Sequence, residues 1–317
     1  MLVFAEKKIR VMPSVKILRL GLTIVVGLAA TPAMAQQLPT PLSVKQLKPD
    51  VYWTQGGAGS NTGIIIGKTG VIVIDAGTTA DSAKDRLAEI AKLTPKPITH
   101  VILTHSDGDH VNGVAAFPAG VTVVAHEGNK KEMEAALAAG GRGAPPADRL
   151  PSLVVTKNKD TVTIDGVKLE LLHWAPAHTS GDLVVYLPDQ KIVFTGDITT
   201  GAAYVVQTNR PSPLIHAQKQ GSSEGWITTV KGILAVDADQ FVPGHGDLQT
   251  KADIQTVLKA TEGKRAKIAS MVKEGKSLDE IRAATGDVPR PVAAGGRGPA
   301  FASFTDVVYQ ELTKKRG

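Results

Sequence analysis

The sequence predicts an α/β protein, read along the chain as a four-layer αββα sandwich with a helical C-terminal appendage. Three observations carry this expectation. Apolar runs of strand length recur and stop at Gly, Asp or Pro, as at Gly70 to Ile74 before Asp75-Ala76-Gly77 and at Val101 to Leu103 before a polar, Gly-containing segment. Segments of helical periodicity separate the early runs, whereas a later set of runs is joined by tight turns alone. The composition, 42% hydrophobic and 21% charged over 317 residues, is that of a globular protein with room for one large domain or two small ones.

Taken in order, Val51 to Gln55, Gly63 to Gly67 and Gly70 to Ile74 are strand candidates in quick succession. Ala80 to Leu93 places Ala83, Leu87, Ile90 and Ala91 on one helical face. Val101 to Thr104 is the next strand, Gly113 to Phe117 a short helix, Val121 to Ala125 a strand, and Glu127 to Ala139 a helix stopped by Gly140-Gly141. Strands follow at Val162 to Ile164, Val167 to Leu172, Leu183 to Leu187 and Lys191 to Phe194, turned by Asp165-Gly166 and Pro188-Asp189. Glu224 to Ala235 reads as a helix. Lys251 to Lys273, Leu278 to Thr285 and Ala302 to Leu312 form the helical appendage. Two unpatterned stretches, Gly140 to Ser152 and Gly201 to Ser223, read either as substrate lids or as surface loops. The Gly-Gly-Arg-Gly of residues 140–143 recurs within Pro289 to Pro299, which is read as coincidence in a Gly-rich chain.

Residues 1–35 are expected to be a signal peptide. Lys7, Lys8, Arg10, Lys16 and Arg19 precede the apolar Leu20 to Ala30, and Ala33-Met34-Ala35 offers a cleavage site before Gln36. The apolar run is short for a membrane span, so an uncleaved anchor is the rival, and the long basic region also allows a true start at Met12. The expected localisation is periplasmic or secreted, with no stable membrane insertion after cleavage. Without this leader the net charge falls from +6 to about +2. A near-neutral body with no basic stripe and only 4% aromatics argues against a nucleic-acid partner and for a small-molecule substrate. Cysteine is absent, so neither disulfides nor thiolate ligands are available. The expected domains are the leader, a catalytic domain over 36–250 and a helical extension over 251–317; the oligomeric state stays open.

Chemistry concentrates in Thr104-His105-Ser106-Asp107-Gly108-Asp109-His110, where two imidazoles and two carboxylates occupy six residues after an apolar strand. Such mixed nitrogen and oxygen donors suit zinc, iron or manganese. The plainer alternative is a polar loop whose histidines cap a helix. His178, Asp197 and His245 lie in similar settings, in Ala177-His178-Thr179-Ser180-Gly181-Asp182, Thr195-Gly196-Asp197 and Pro243-Gly244-His245-Gly246-Asp247. Each is placed just past a strand, next to Gly or Pro, and such ends can converge in an α/β fold.

With these motifs in this order, the chain resembles the metallo-β-lactamase-fold hydrolase superfamily over roughly residues 50 to 250. The family pattern His-x-His-x-Asp-His, then His, Asp and His, is met at His105, Asp109, His110, His178, Asp197 and His245, and departs at Asp107, where the family has a second His. The resemblance implies the duplicated strand set of the family fold and two divalent metal ions sharing a hydroxide. It assigns metal one to His105, Asp107 and His178, metal two to Asp109, His110 and His245, and the bridge to Asp197. Zinc is the first expectation, with iron or manganese as alternatives, and Asp109 is also expected to be the catalytic residue. Asp75 is expected behind the ligands, orienting one of them, or else merely closes its turn. Thr104 and Thr179 flank ligands and are expected to support them by hydrogen bonds.

Asp107 would add negative charge beside metal one and favour harder ions; some diiron relatives carry a carboxylate here, and the alternative is that Asp107 points away. Among the other histidines, His100 is read as structural, His126 as a helix cap or a solvent-facing group, His173 as a group behind His178, and His216 as a substrate contact. Asp197 resembles the glyoxalase II and lactonase branches, so the expected function is an exported hydrolase of a small ester, thioester or lactone. The alternatives are a weak periplasmic metallo-β-lactamase, or a diiron redox or metal-binding protein on the same fold. One fold hosts all of these, so the substrate is not legible at this level.

Overall fold

The computed structural model describes residues 41–140, 143–208, 212–287 and 302–314. The leader with its cleavage site, the Met12 start, Gly141, Arg142, residues 209–211 of the second unpatterned stretch and the Pro289 to Pro299 segment lie outside the described residues. Seven strands make the first sheet, paired in chain order: β1 (Ser43–Lys48), β2 (Val51–Gln55), β3 (Thr62–Ile66), β4 (Val71–Ile74), β5 (Ile98–Leu103), β6 (Thr122–His126) and β7 (Leu153–Val155). Helix α1 (Ala80–Leu93) crosses from β4 to β5; α2 (Gly108–Val111) and a 3₁₀ turn, Asn112–Ala116, follow β5; α3 (Glu127–Ala138) follows β6. The second sheet holds β8 (Lys159–Ile164), β9 (Val167–Leu172), β10 (Val184–Leu187), β11 (Ile192–Thr200) and β12 (Gln240–His245), with β12 and β8 at its edges. Helices α4 (Ala202–Thr208) and α5 (Ser223–Ala235) separate β11 from β12, and α6 (Lys251–Lys273), α7 (Leu278–Thr285) and α8 (Phe304–Thr313) end the chain.

Side-chain alternation explains the layers. In β4, Ile72 and Ile74 point into a core shared with Leu169, Leu171, Val185, Leu187 and Phe194 of the second sheet. Their neighbours Val71 and Val73 point outward onto Ala83 and Ile90 of α1 and Met133 of α3. The outer face of the second sheet, with Val184, Tyr186 and Val193, packs on Trp226 and Val230 of α5 and on Ile254, Ile268, Phe304 and Val308 of the last helices. Central strands are therefore covered on both faces, and their sequences read as continuous apolar runs rather than alternating ones. The four-layer αββα order with C-terminal helices is the one the sequence predicts.

The differences are local and have physical causes. Strands β1 and β7 were not expected; both are edges of the first sheet, and the polar, Lys-bearing Ser43–Lys48 has no apolar run to betray it. Strand β5 begins at Ile98 because parallel pairing with β4 starts at Val71 opposite Ile98. Strand β11 does not stop at Phe194: it continues to Thr200 through register shifts against β12, so Asp197 sits inside an irregular strand rather than after one. His245 is likewise the last residue of β12. The stretch Gly201 to Ser223 is not structureless, since it holds α4 and a 3₁₀ turn at Ala217–Lys219. No helix among the described residues is long and apolar enough to cross a membrane.

Candidate metal centre

Two parallel pairs, β4 with β5 and β11 with β12, deliver their C-terminal ends to one place. From β4 comes Asp75, from the β5 end residues 104–110, from β11 Asp197, from β12 His245, and from the loop between β9 and β10 comes His178. Strand β12 accepts Pro243 because it is an edge strand. A side chain at Gly244 would place its Cβ 1.9 Å from Asp197 Oδ1, so only Gly lets β12 pass this close to the carboxylate.

Asp75 organises the histidines. It is buried, with φ 63°, a left-handed conformation that Asp tolerates better than most residues. Its Oδ1 accepts the Thr104 backbone N–H at 2.8 Å, and its Oδ2 accepts both Thr104 Oγ1 at 2.8 Å and His110 Nδ1 at 2.8 Å. Because Thr104 Oγ1 spends its proton on Asp75, it can accept His105 Nδ1 at 3.0 Å. One carboxylate thereby fixes the proton of His110 directly and that of His105 through a hydroxyl. His178 donates Nδ1 to the Leu214 carbonyl at 2.8 Å. In all three neutral rings the lone pair is left on Nε2, facing inward.

Those inward atoms form three groups, each with its donor atoms within 4.8 Å of one another: His105, His178 and Asp197; Asp107, His178 and His216; and Asp109, His110 and His245. Within the third, His245 Nε2 lies 3.0 Å from Asp109 Oδ2 and 3.4 Å from His110 Nε2. Asp197 faces both sides, being grouped with His105 and His178 while its Oδ1 and Oδ2 lie 3.3 Å from His110 and 3.5 Å from His245. The edge of a tetrahedron around an ion with bonds of about 2.0–2.2 Å is roughly 3.3–3.6 Å, close to these separations. Among the described residues, His105 Nε2 and Asp197 Oδ1 are buried without a hydrogen-bond partner of good geometry, which is costly for the protein alone and natural for donors aimed at a cation. The residues present fit a pair of divalent ions.

The electrostatics agree. Burial works against charge on His110 and His178, but the surrounding carboxylates outweigh it. Asp197, Asp75 and Asp109 hold His110 well above its usual range, and Asp107 lifts His178 to about 9. Burial also opposes ionised Asp109, yet His110 and His245 bring it down to about 2, while Asp107 and Asp197 are held well below the carboxylate range by their histidines. So much negative charge in one buried cluster calls for a cation, whether protons on the rings or metal between them.

Asp107 points into the cluster. Its Oδ2 lies 3.2 Å from His178 Nε2, 3.0 Å from His216 Nε2 and 3.7 Å from His105 Nε2, and its Oδ1 accepts Lys219 Nζ at 2.6 Å. Thr179 hydrogen-bonds to Asp182 rather than to a ligand ring. Its N–H and hydroxyl donate to Asp182, which also takes the Ala177 N–H and so shapes the loop that presents His178. His173 lies elsewhere, stacked on His126 at 4.0 Å and bonded through Nδ1 to the Asp182 carbonyl; His126 accepts Gly128 N–H as the cap of α3.

Sequence reasoning missed Asp182, Lys219 and Tyr204, whose ring stacks on His245 at 4.6 Å and 17°. Lys219 had a faint signal, its i+3 spacing from His216, which puts both on one side of a 3₁₀ turn. Beside Asp197 lies a cavity of about 70 Å³ lined by Ile198, Val205, Leu214, Trp226, Ile254 and Val257.

The Metallo-beta-lactamase superfamily domain matches residues 56–245, a span that contains every candidate donor just described, and the chain belongs to that family. Among its relatives are a linear primary-alkylsulfatase of Pseudomonas sp., 25% identical over 61% of this chain and 42% of that protein, and the alpha subunit of 2,4-dinitroanisole O-demethylase of Nocardioides sp., 30% identical over 61% of this chain and 54% of that one. The solved structure of the inverting sec-alkylsulfatase Pisa1 from Pseudomonas sp. superposes with a TM-score of 0.67 at 20% identity, covering 86% of this chain and 50% of that one. The chain thus spans about half the length of the curated relatives it matches.

Proposed function

We propose that this chain is an exported, dinuclear metal-dependent hydrolase of a small ester, thioester or lactone. The observation that carries the reading is the convergence of seven donors, from the ends of β5, β11 and β12 and from the loop between β9 and β10, into overlapping groups at ligand-like separations. In it, His105, Asp107 and His178 hold one ion, Asp109, His110 and His245 the other, and Asp197 lies between; zinc is the first candidate, with iron or manganese as alternatives. Such ions, when bound, supply a water nucleophile at neutral pH and polarise the bond to be cleaved.

The protein's own part is to fix the donors and shape the substrate. Asp75 and Thr104 keep the Nδ1 protons of His110 and His105 in place. Asp109 is the most open carboxylate, 37% exposed against 14% for Asp107 and 11% for Asp197. It stays ionised over the working pH range and so accepts a hydrogen bond from the attacking water at the rim. The cavity beside Asp197, lined by apolar side chains together with Thr199, Thr200, Ser212 and Gln249, is large enough for a short alkyl group.

A second reading, a sulfate ester with an alkyl tail, is favoured by the alkylsulfatase relative and by Lys219, a cation held at Asp107 Oδ1 beside the centre. Assays of the metal-loaded mature protein with matched carboxylic esters, thioesters, lactones, β-lactams and alkyl sulfates test both. Turnover of the first three classes above the others supports the primary reading. Preference for alkyl sulfates, with a Lys219→Met variant raising KM for the sulfate more than for a neutral ester, selects the second. No turnover of any class by protein that holds two ions would overturn both.

A further inference from the structure

We infer that His216 is a metal ligand, seated with Asp107 and His178, rather than a substrate contact; this rests on the dinuclear reading above. His216 Nε2 lies 3.0 Å from Asp107 Oδ2, and His178 Nε2 lies 3.2 Å from the same oxygen. His178 spends its Nδ1 proton on the Leu214 carbonyl, so in its neutral form a bare nitrogen lone pair faces a carboxylate oxygen. A ring nitrogen and a carboxylate oxygen at that distance are held together either by a proton on the nitrogen or by a cation that both coordinate. The three atoms, with the two rings at 85° to one another and 4.7 Å apart, form a group that offers a cation three donors at once. Lys219 occupies Asp107 Oδ1 at 2.6 Å, which leaves Oδ2 as the donating oxygen and offsets the charge of the carboxylate.

The placement is built, not incidental. His216 is 6% exposed, deeper than a group that reaches out to substrate. Its segment is stitched to the His178 loop at four points: His216 N–H to His178 O at 2.9 Å, His178 Nδ1 to Leu214 O at 2.8 Å, Ser180 N–H to Lys219 O at 2.8 Å, and Ser222 N–H to Ala177 O at 3.0 Å. Gly221 permits this approach, since a Cβ there would lie 2.2 Å from His178 O. These bonds tie the two loops together and set the separation of His178 and His216, which is what a metal seat needs.

The test titrates zinc and cobalt(II) into the full chain as wild type, His216→Ala and His216→Gln, with far-ultraviolet circular dichroism to check folding. Gln keeps the size of the side chain and removes the imidazole, so the inference stays testable if the Ala variant misfolds. Partners that merely orient ligands cost about 10–100-fold in affinity, so loss of a ligand should weaken one of the two ions by at least about tenfold and change the visible absorption of the cobalt form. Unchanged affinity and an unchanged cobalt spectrum in a folded variant, even with a raised KM, would overturn the inference and leave the dinuclear reading standing. A wild-type chain that takes up no ion would overturn that reading itself.

Discussion

Asp75→Asn isolates the proton-fixing role of Asp75 from its role in folding. Asn tolerates the left-handed φ of 63° and can still accept the Thr104 N–H through its carbonyl. Its amide group, however, would confront His110 Nδ1–H and the Thr104 hydroxyl where Oδ2 now accepts both. His110 can relieve the clash only by moving its proton to Nε2, the atom that faces Asp197 and His245. Loss of a charge-assisted bond at a buried acceptor costs about 2–4 kcal/mol, less than the 5–15 kcal/mol typical of a domain, so the variant should fold. Metal affinity at the Asp109, His110 and His245 side should fall by about 10–100-fold, equivalent to roughly 1.4–2.8 kcal/mol. Competition against a chromophoric chelator reads this directly. Wild-type affinity in a folded Asp75→Asn protein would refute the reasoning. Asp75→Ala is the coarser control: it strands three buried donors and puts a β-carbon at a strained φ, so it should lose stability as well as metal.

The other predictions are narrower. Asp107→His should raise zinc affinity by replacing a hard carboxylate oxygen with the imidazole nitrogen that zinc prefers, whereas Asp107→Ala should cost occupancy of one of two sites and leave the other; wild-type stoichiometry and affinity in both variants would exclude Asp107 as a ligand. Burial and the neighbouring His173 lower His126 to about 4 in the fold, below its ordinary 6.5. The folded state then binds fewer protons than the unfolded one between these values, so stability falls as pH drops from about 6.5 toward 4. The ceiling is about 3 kcal/mol, which solvent screening reduces to roughly 1–2 kcal/mol. His126→Asn keeps a capping acceptor for Gly128 N–H and should flatten that slope relative to wild type in urea melts at several pH values; an unchanged slope would count against it. N-terminal sequencing of protein recovered from an exporting cell should begin at Gln36, and an intact leader in the cytosol would contradict the export reading.

Much of this architecture was legible because its strands are buried on both faces, so that Gly70 to Ile74 or Val101 to Leu103 stand out as apolar runs ended by polar donors. The structure brings His105, Asp107, Asp109, His110, His178, Asp197 and His245 together, and puts Asp75 and Thr104 behind two of the rings. Edge strands such as β1 escaped because half their surface faces solvent and their pattern is weak. Thr179 differs from expectation because adjacency in sequence says nothing about direction: its hydroxyl donates to Asp182 and not to the ring of His178. His216 and Lys219 reach the centre from a segment without periodicity, held there by backbone bonds to the His178 loop that no local pattern encodes.

The central claim is that these donors hold two divalent ions on which hydrolysis depends. Metal analysis of the purified mature protein, coupled to ester turnover before and after exhaustive chelation, tests it most directly. About two ions per chain, with activity lost on chelation and restored by adding metal back, is the predicted result. Protein that holds no divalent ion at saturation, or that keeps full activity when metal-free, would contradict it.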